Sequence, residues 1–180
     1  MRPPYDPNAE VIGQVMYAYI DNLRADVILP LLEKNNLVNI QPDQWYKVKR
    51  WLDVIDELST KPNFMQDMIA VGLKIAQYAV TPPEMANVTL GQMLEGWDVH
   101  FHANHRSGEI GHIITEKVND KFYKTIHRHI YPDDLNYGLA YGFAHTMLPK
   151  GTPFKVWYED IQHRLGNDNA DQTVICIQWE

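Results

Sequence analysis

Residues 109–130 read EIGHIITEKVNDKFYKTIHRHI, a β-branched and aromatic run interrupted only at Asn119-Asp120, and this run decides the architecture. Residues 109–118 and 121–130 predict two strands, and the two-residue polar connection between them predicts a hairpin. After the hairpin, Tyr131-Pro132-Asp133 opens a helix, with Asp133 or Asp134 near its positive N-terminal end, and the helix stops before Pro149. Lys150-Gly151-Thr152-Pro153 is a turn. Phe154, Val156 and Tyr158 then alternate as a third strand, and Thr173, Ile175, Ile177 and Trp179 as a fourth, with a polar loop over Arg164 to Asp171 between them. The C-terminal half is therefore ββαββ.

Towards the N-terminus the period changes from two to 3.6. Ile12, Val15, Met16, Tyr19, Ile20 and Leu23 form one apolar stripe from about Ala9, which Pro30 should end near Ile28 or Leu29. A short segment then ends at Asn35-Asn36, residues that tolerate a left-handed terminus. Gln41-Pro42 predicts a helix start, with Trp45, Val48, Leu52, Ile55 and Leu58 buried. A further helix follows Lys61-Pro62 and carries Met65, Met68, Ile69, Ile75 and Ala76. Beyond the turn Thr81-Pro82-Pro83, Thr89 caps a helix that runs to about His105, with Leu90, Met93, Leu94, Trp97 and Phe101 on its apolar side. Helices first and strands later argue for an α+β fold: an N-terminal helical layer packed on a four-stranded antiparallel sheet, in one domain over 1–180 with residues 1–8 as an extended lead-in.

Composition sets the partners. With 180 residues and 45% apolar content, the chain can bury one well-formed core. A net charge of -7 offers no basic surface for phosphate backbones, which argues against nucleic acid. No run approaches the ~20 apolar residues of a membrane span. Residues 1–8 lack the apolar core of a signal peptide, and the one cysteine, Cys176, reads as buried in a strand, so a reducing, cytoplasmic compartment is expected.

The densest ionisable cluster is Asp98, His100, His102 and His105. On a helix, Asp98, His102 and His105 share one side and could present a carboxylate and two imidazoles to a metal ion; a polar outer face with one Asp–His contact is the plainer reading. His100 follows Trp97 by three residues and Met93 by seven, at the edge of the buried stripe, where it is either a core histidine or a ligand to a bound metal. His127 and His129 point to one face with Tyr123 and Tyr131, lining a pocket or pairing on the surface of the sheet, and surface pairing is the simpler expectation. His112, His145 and His163 stand alone and receive no role. In DDLNYGLAYGFAHTML, residues 133–148, Gly138 and Gly142 each cost about 1 kcal/mol against alanine in a helix, so they need a packing reason: a close helix neighbour or a ligand groove. No serine elbow, phosphate loop or dinucleotide fingerprint occurs, and no catalytic residue is assigned.

The segments NHRSGEIGHI (104–113), IYPDDLNYGLAYGF (130–143), PFKVWYED (153–160) and VICIQWE (174–180) together resemble the superfamily of four-vinyl-reductase domains, haem-nitric-oxide/oxygen-binding (H-NOX) sensors and TRAPP vesicle-tethering subunits. The resemblance extends over most of the chain in architecture and is concentrated in residues 97–180. It implies a pocket for a hydrophobic ligand between the helical layer and the sheet. In Trp97-Asp98-Val99-His100, it implies that His100 stands where the haem sensors carry their iron-ligating histidine. Their Tyr-x-Ser-x-Arg motif for the haem propionates is missing, since the region reads His127-Arg128-His129-Ile130-Tyr131, and Arg128 is the residue that would substitute. The cysteines of the four-vinyl-reductase pattern are replaced by Asp133-Asp134 and by Arg164-Leu165-Gly166. The function expected is a sensor or carrier domain for an apolar small molecule, haem or another tetrapyrrole. Trp97, His100, Phe101, Tyr137 and Tyr141 would line its pocket, and His100 or Arg128 would fix orientation. Two further readings are a homodimeric assembly module without a ligand and a metal-dependent enzyme built on Asp98, His102 and His105.

Overall fold

In chain order the elements are β1 (Glu10–Ile12), α1 (Gln14–Asn22), α2 (Ala25–Lys34), β2 (Trp45–Lys47), α3 (Val48–Ser59), α4 (Phe64–Ala79), α5 (Leu90–Glu95), α6 (Trp97–Ala103), β3 (His105–Arg106), β4 (Gly111–Asn119), β5 (Phe122–His129), α7 (Asp133–Met147), β6 (Phe154–Tyr158) and β7 (Thr173–Trp179). They come from a computed structural model that describes residues 4–80, 82, 85–159 and 172–180. The fold is α+β, with a four-stranded antiparallel sheet in the order β4-β5-β7-β6. The polar loop expected over 164–171 lies outside the described residues, as do Thr81 and Pro83 of the expected turn. Among the described residues, no helix is long and apolar enough to cross a membrane.

The N-terminal layer departs from its expected boundaries in three places. The single helix anticipated from Ala9 is a short strand and two helices, because Leu23 and Arg24 adopt extended backbone (ψ 154° and 130°) and break the ladder. Pro30 does not end the second helix but sits inside α2, where it forgoes one backbone hydrogen bond and stays exposed. Residues 45–47 are strand β2 rather than helix. Trp45 is accordingly only half-buried, with the Arg106 guanidinium 4.5 Å above its ring. β2, β1 and β3 form a second, three-stranded sheet that ties the chain's start to the end of α6. Glu10 reinforces that tie with ion pairs to Arg106 (2.7 Å) and Lys47 (3.3 Å).

Thr89 does cap its helix, in a reciprocal box with Gln92, but the helix is interrupted at Gly96 and resumes as α6. The glycines of α7 are explained by α4. A Cβ at Gly138 would stand 2.3 Å from the Ile69 carbonyl oxygen, and one at Gly72 would stand 2.3 Å from that of Leu135. The two backbones therefore touch, and the groove reading of Gly138 and Gly142 gives way to helix–helix packing.

Two apolar clusters result. One gathers Met16, Tyr19, Ile28, Trp51 and Leu52 with Ile110, Ile130 and Leu135; the other sets Leu94, Trp97, Ala140 and Phe143 against Ile113, Tyr123, Ile175 and Ile177 of the sheet. Phe101 and Leu139 pack against both, so the seam between the clusters runs past these two side chains.

Candidate functional site

At that seam lies a cavity of about 370 Å³. Its apolar wall is built from Val15 and Ala18 of α1, Ile75 of α4, Met93, Trp97 and Phe101 of α5 and α6, Ile113 of β4, and Leu135, Leu139 and Phe143 of α7. Periodicity explains the last set, since positions 135, 139 and 143 repeat every fourth residue on one helix face. His100 reaches the wall from α6 and remains exposed, so it stands where the cavity meets solvent. Its ring leans back over Gly96, with Nε2 3.7 Å from the place a Cβ there would occupy. Among the described residues, neither ring nitrogen has a hydrogen-bond partner. Such an imidazole has a free lone pair to offer a ligand.

The polar part of the wall is made of neutral groups. His129, His105, Tyr131 and Asn136 face the cavity, and no Asp, Glu, Lys or Arg among the described residues lines it. The alternation of β5 brings Thr125, His127 and His129 inward, at 0, 3 and 6% exposure, and turns Arg128 to the opposite face. The hydrogen bonds fix the tautomers in one direction. The Tyr131 N–H donates to His129 Nδ1 (3.3 Å), so His129 carries its proton on Nε2 and donates to His127 Nδ1 (3.2 Å). His127 Nε2 in turn donates to Thr125 Oγ1 (3.0 Å), whose hydroxyl points to the Ile175 carbonyl (3.3 Å). Separately, His105 Nδ1 donates to the Phe101 carbonyl (2.7 Å) and its Nε2 accepts from the Tyr131 hydroxyl (2.7 Å).

Burial keeps these rings uncharged. Loss of solvation, opposed by the Phe101 carbonyl and aided by His102, pulls His105 down to about 4. Burial followed by the neighbouring His105 and His102 brings His129 down to about 3. His127 is likewise held well below the ordinary imidazole range, by burial first and His129 second. The surface pairing expected for His127 and His129 is thus corrected: both are interior, and with His105 they are polar without charge at neutral pH.

The structure brings Trp97, His100 and Phe101 together at the cavity and leaves three expected lining residues outside it. Arg128 is exposed and donates to Gln172 (2.6 Å). Tyr137 donates to the Val156 carbonyl (3.1 Å) and stacks on Tyr158, and Tyr141 is 39% exposed beside Phe154 and His145. A helix whose glycines face α4 must turn residues 137 and 141 towards the sheet and solvent. The expected trio of Asp98, His102 and His105 is also divided, because His105 turns inward to Tyr131 while Asp98 and His102 remain side by side at the surface. Asn136, Leu139 and His105 are wall residues that sequence reading did not place. The four-residue repeat 135–139–143 was the available signal for Leu139; Asn136, 2% exposed and donating to the Pro132 carbonyl (3.1 Å), gave none.

A haem needs an axial nitrogen and a flat apolar slot, and its two carboxylates favour cations. The unpartnered His100 ring offers the nitrogen, and the wall offers the apolar surface. The third is not met: the one arginine of the expected motif region points away, and burial keeps His105 and His129 neutral.

No protein-family model matches this chain, and no curated protein sequence matches it. Its fold does match solved structures. An H-NOX protein from S. oneidensis in the Fe(II)NO state superposes with a TM-score of 0.68 at 14% identity, over 94% of this chain and 99% of that one. A structure that probes haem distortion in the H-NOX family gives 0.67 at 15%, over 93% and 94%. An oxygen-binding H-NOX domain related to soluble guanylate cyclases, in its oxygen complex, gives 0.65 at 16%, over 93% and 92%. At these identities the likeness is one of fold.

Proposed function

We propose that the chain is a small-molecule-binding sensor or carrier domain, and that its cavity takes a flat, largely apolar ligand for which His100 supplies the one strong coordinating nitrogen. An iron tetrapyrrole is the ligand chemistry that uses both features. The observation that carries the reading is the unpartnered His100 imidazole at the mouth of an apolar cavity of about 370 Å³. The H-NOX neighbours, one with Fe(II)NO and one as an oxygen complex, agree with it in fold. Bound haem would supply an iron centre that holds a diatomic gas. The chain's own contribution is to bind the ring's faces, orient it through His100 and keep water from its buried side.

Magnitudes show why His100 matters. Apolar burial contributes about 2.5 kcal/mol per 100 Å² of ligand surface. Association costs roughly 4–15 kcal/mol in lost freedom. The gain from burial is therefore partly offset by the cost of association, and coordination through His100 adds to what remains. With no cation on the described wall, a carboxylated ligand is held by its face and its metal rather than by its acid groups.

Haemin titrated into untagged protein tests the reading. A Soret shift that saturates at one equivalent, is lost in His100→Ala and is kept in His145→Ala is the expected result. An unchanged haemin spectrum removes the iron tetrapyrrole, and a shift that survives His100→Ala removes His100 as its ligand. If haemin fails, native mass spectrometry of freshly expressed protein reads whether another small molecule occupies the cavity.

A further inference from the structure

A second cluster of ligating side chains lies outside the cavity, at the joint between α6 and β4. Asp98 and His102 are one helical turn apart, with His102 Nδ1 2.9 Å from the Asp98 carbonyl oxygen and 3.4 Å from Asp98 Oδ1. Across the joint, the backbone N–H of Ile113 donates to Asp98 Oδ1 at 2.7 Å. That bond fixes the register of the helix against the strand, and it brings the residue before Ile113, His112, to the same point. The His102 and His112 rings lie 5.6 Å apart at an angle of 31°. One ligand atom from each of Asp98, His102 and His112 falls within 4.8 Å of the others. Glu109 stands behind His112, with Oε1 3.6 Å from its Nε2, and that oxygen already accepts the N–H groups of Ile110 (3.1 Å) and Gly111 (2.9 Å).

Part of this arrangement has a purely local explanation. Asp98 stitches helix to strand, and His102 bonds back to the Asp98 carbonyl one turn before it. His112 has no such explanation: it comes from another element, is well exposed, and makes no hydrogen bond among the described residues. Asp98 keeps Oδ2 free of any hydrogen bond among them.

We propose that Asp98, His102 and His112 form a binding site for one divalent transition-metal ion of the zinc class, bridging α6 and β4. Two imidazoles and one carboxylate select such an ion over magnesium or calcium, which take oxygen ligands. Zinc–ligand distances of ~2.0–2.2 Å require the three ligand atoms to draw together by roughly 1.5 Å. Rotation of His102 and His112, whose side chains are 39% and 58% exposed, provides that travel. Glu109 is near enough to hold a coordinated water or to orient His112. The ion would lock the helix that carries His100 and Phe101 to the sheet.

Isothermal titration of untagged full-length protein with ZnCl2 tests the site, with Co2+ absorption reporting ligand number. One ion per chain is expected. Affinity should fall at least ~10-fold in His112→Ala and in Asp98→Asn, a variant that retains an oxygen for the Ile113 N–H, since even outer-shell losses cost 10–100-fold. His145→Ala should bind as the parent does. His100→Ala should also bind zinc, which separates this site from the haemin result above. Absence of stoichiometric zinc in the parent overturns the proposal, and so does unchanged affinity in His112→Ala; thermal melts confirm that each variant is folded.

Discussion

His129 donates from Nε2 to Nδ1 of His127 across 3.2 Å, and both rings are buried beneath the helical layer. Because the Tyr131 N–H already occupies His129 Nδ1, the pair has one tautomeric arrangement and no acceptor left for a second proton. At this part of the wall a bound molecule therefore meets uncharged rings whose nitrogens are already paired.

Acid should unfold the protein earlier than its carboxylates alone would. In the native state His129 titrates near 3 and His105 near 4, with His127 also depressed, whereas all three take up protons near 6.5 once unfolded. A depressed native value means the unfolded state binds protons first. Stability is thus complete above about pH 6.5 and declines as pH falls from there towards 4 and 3, by about 1.4 kcal/mol per pH unit for each histidine. Urea midpoints between pH 7.5 and 5 should fall, and His127→Gln should flatten that fall. A midpoint constant over this range would contradict neutral burial.

The α4–α7 contact predicts a reversed sign for a common stabilising substitution. Alanine in place of glycine ordinarily stabilises a helix by about 1 kcal/mol. Here Gly138→Ala and Gly72→Ala each drive a Cβ against a carbonyl oxygen at 2.3 Å, which only movement of a helix can relieve. Overpacking of that kind costs about 1–3 kcal/mol or more. In a chain of this length each kilocalorie lowers Tm by roughly 2–4 °C. A raised Tm in either variant would show that the helices are not in contact there.

Sheet residues were legible in the sequence because strand periodicity is local: β4, β5, β6 and β7 and the cap at Thr89 lie where the pattern predicted. The N-terminal layer was less so. Leu23 and Arg24 carry ordinary helix-forming side chains, and what opens the helix there is the tertiary need to fold α2 back onto α3. The site divided in the same way. Trp97, His100 and Phe101 were readable from one helical stripe. For His129 the shared face with His127 was readable but its direction was not, because inward-facing Thr125, His127 and His129 invert the usual rule that polar strand positions face water, and Ile126 lies on the opposite face instead. His112 was out of reach, since its proximity to Asp98 depends on the strand's start being held by one hydrogen bond from Ile113.

Cys176 should be inert in the native protein. It is 1% exposed on β7, and burial first, with Glu159 nearby, pushes its thiol up to about 11. The reactive thiolate is therefore scarce at pH 8, and its sulfur is inaccessible. Ellman's reagent should show no fast-reacting thiol in native buffer and one per chain in guanidinium. Reaction in native buffer on the mixing timescale would mean that β7 opens locally.

Filling the seam separates a cavity that exists for a guest from one that exists by default. Leu139 packs against both apolar clusters and also borders the cavity. In a fully packed core, Leu139→Phe would overfill its site and cost about 1–3 kcal/mol. Beside about 370 Å³ of open space, the larger ring has somewhere to go and gains apolar burial of its own. Tm of the ligand-free variant should therefore stay within about 2 °C of the parent. Uptake of haemin, or of whatever small molecule co-purifies with the parent, should fall at least ~10-fold, because the guest and the ring compete for one volume. A sharp drop in Tm would show that the space at Leu139 is already filled. Undiminished uptake with a normal Tm would place the guest elsewhere.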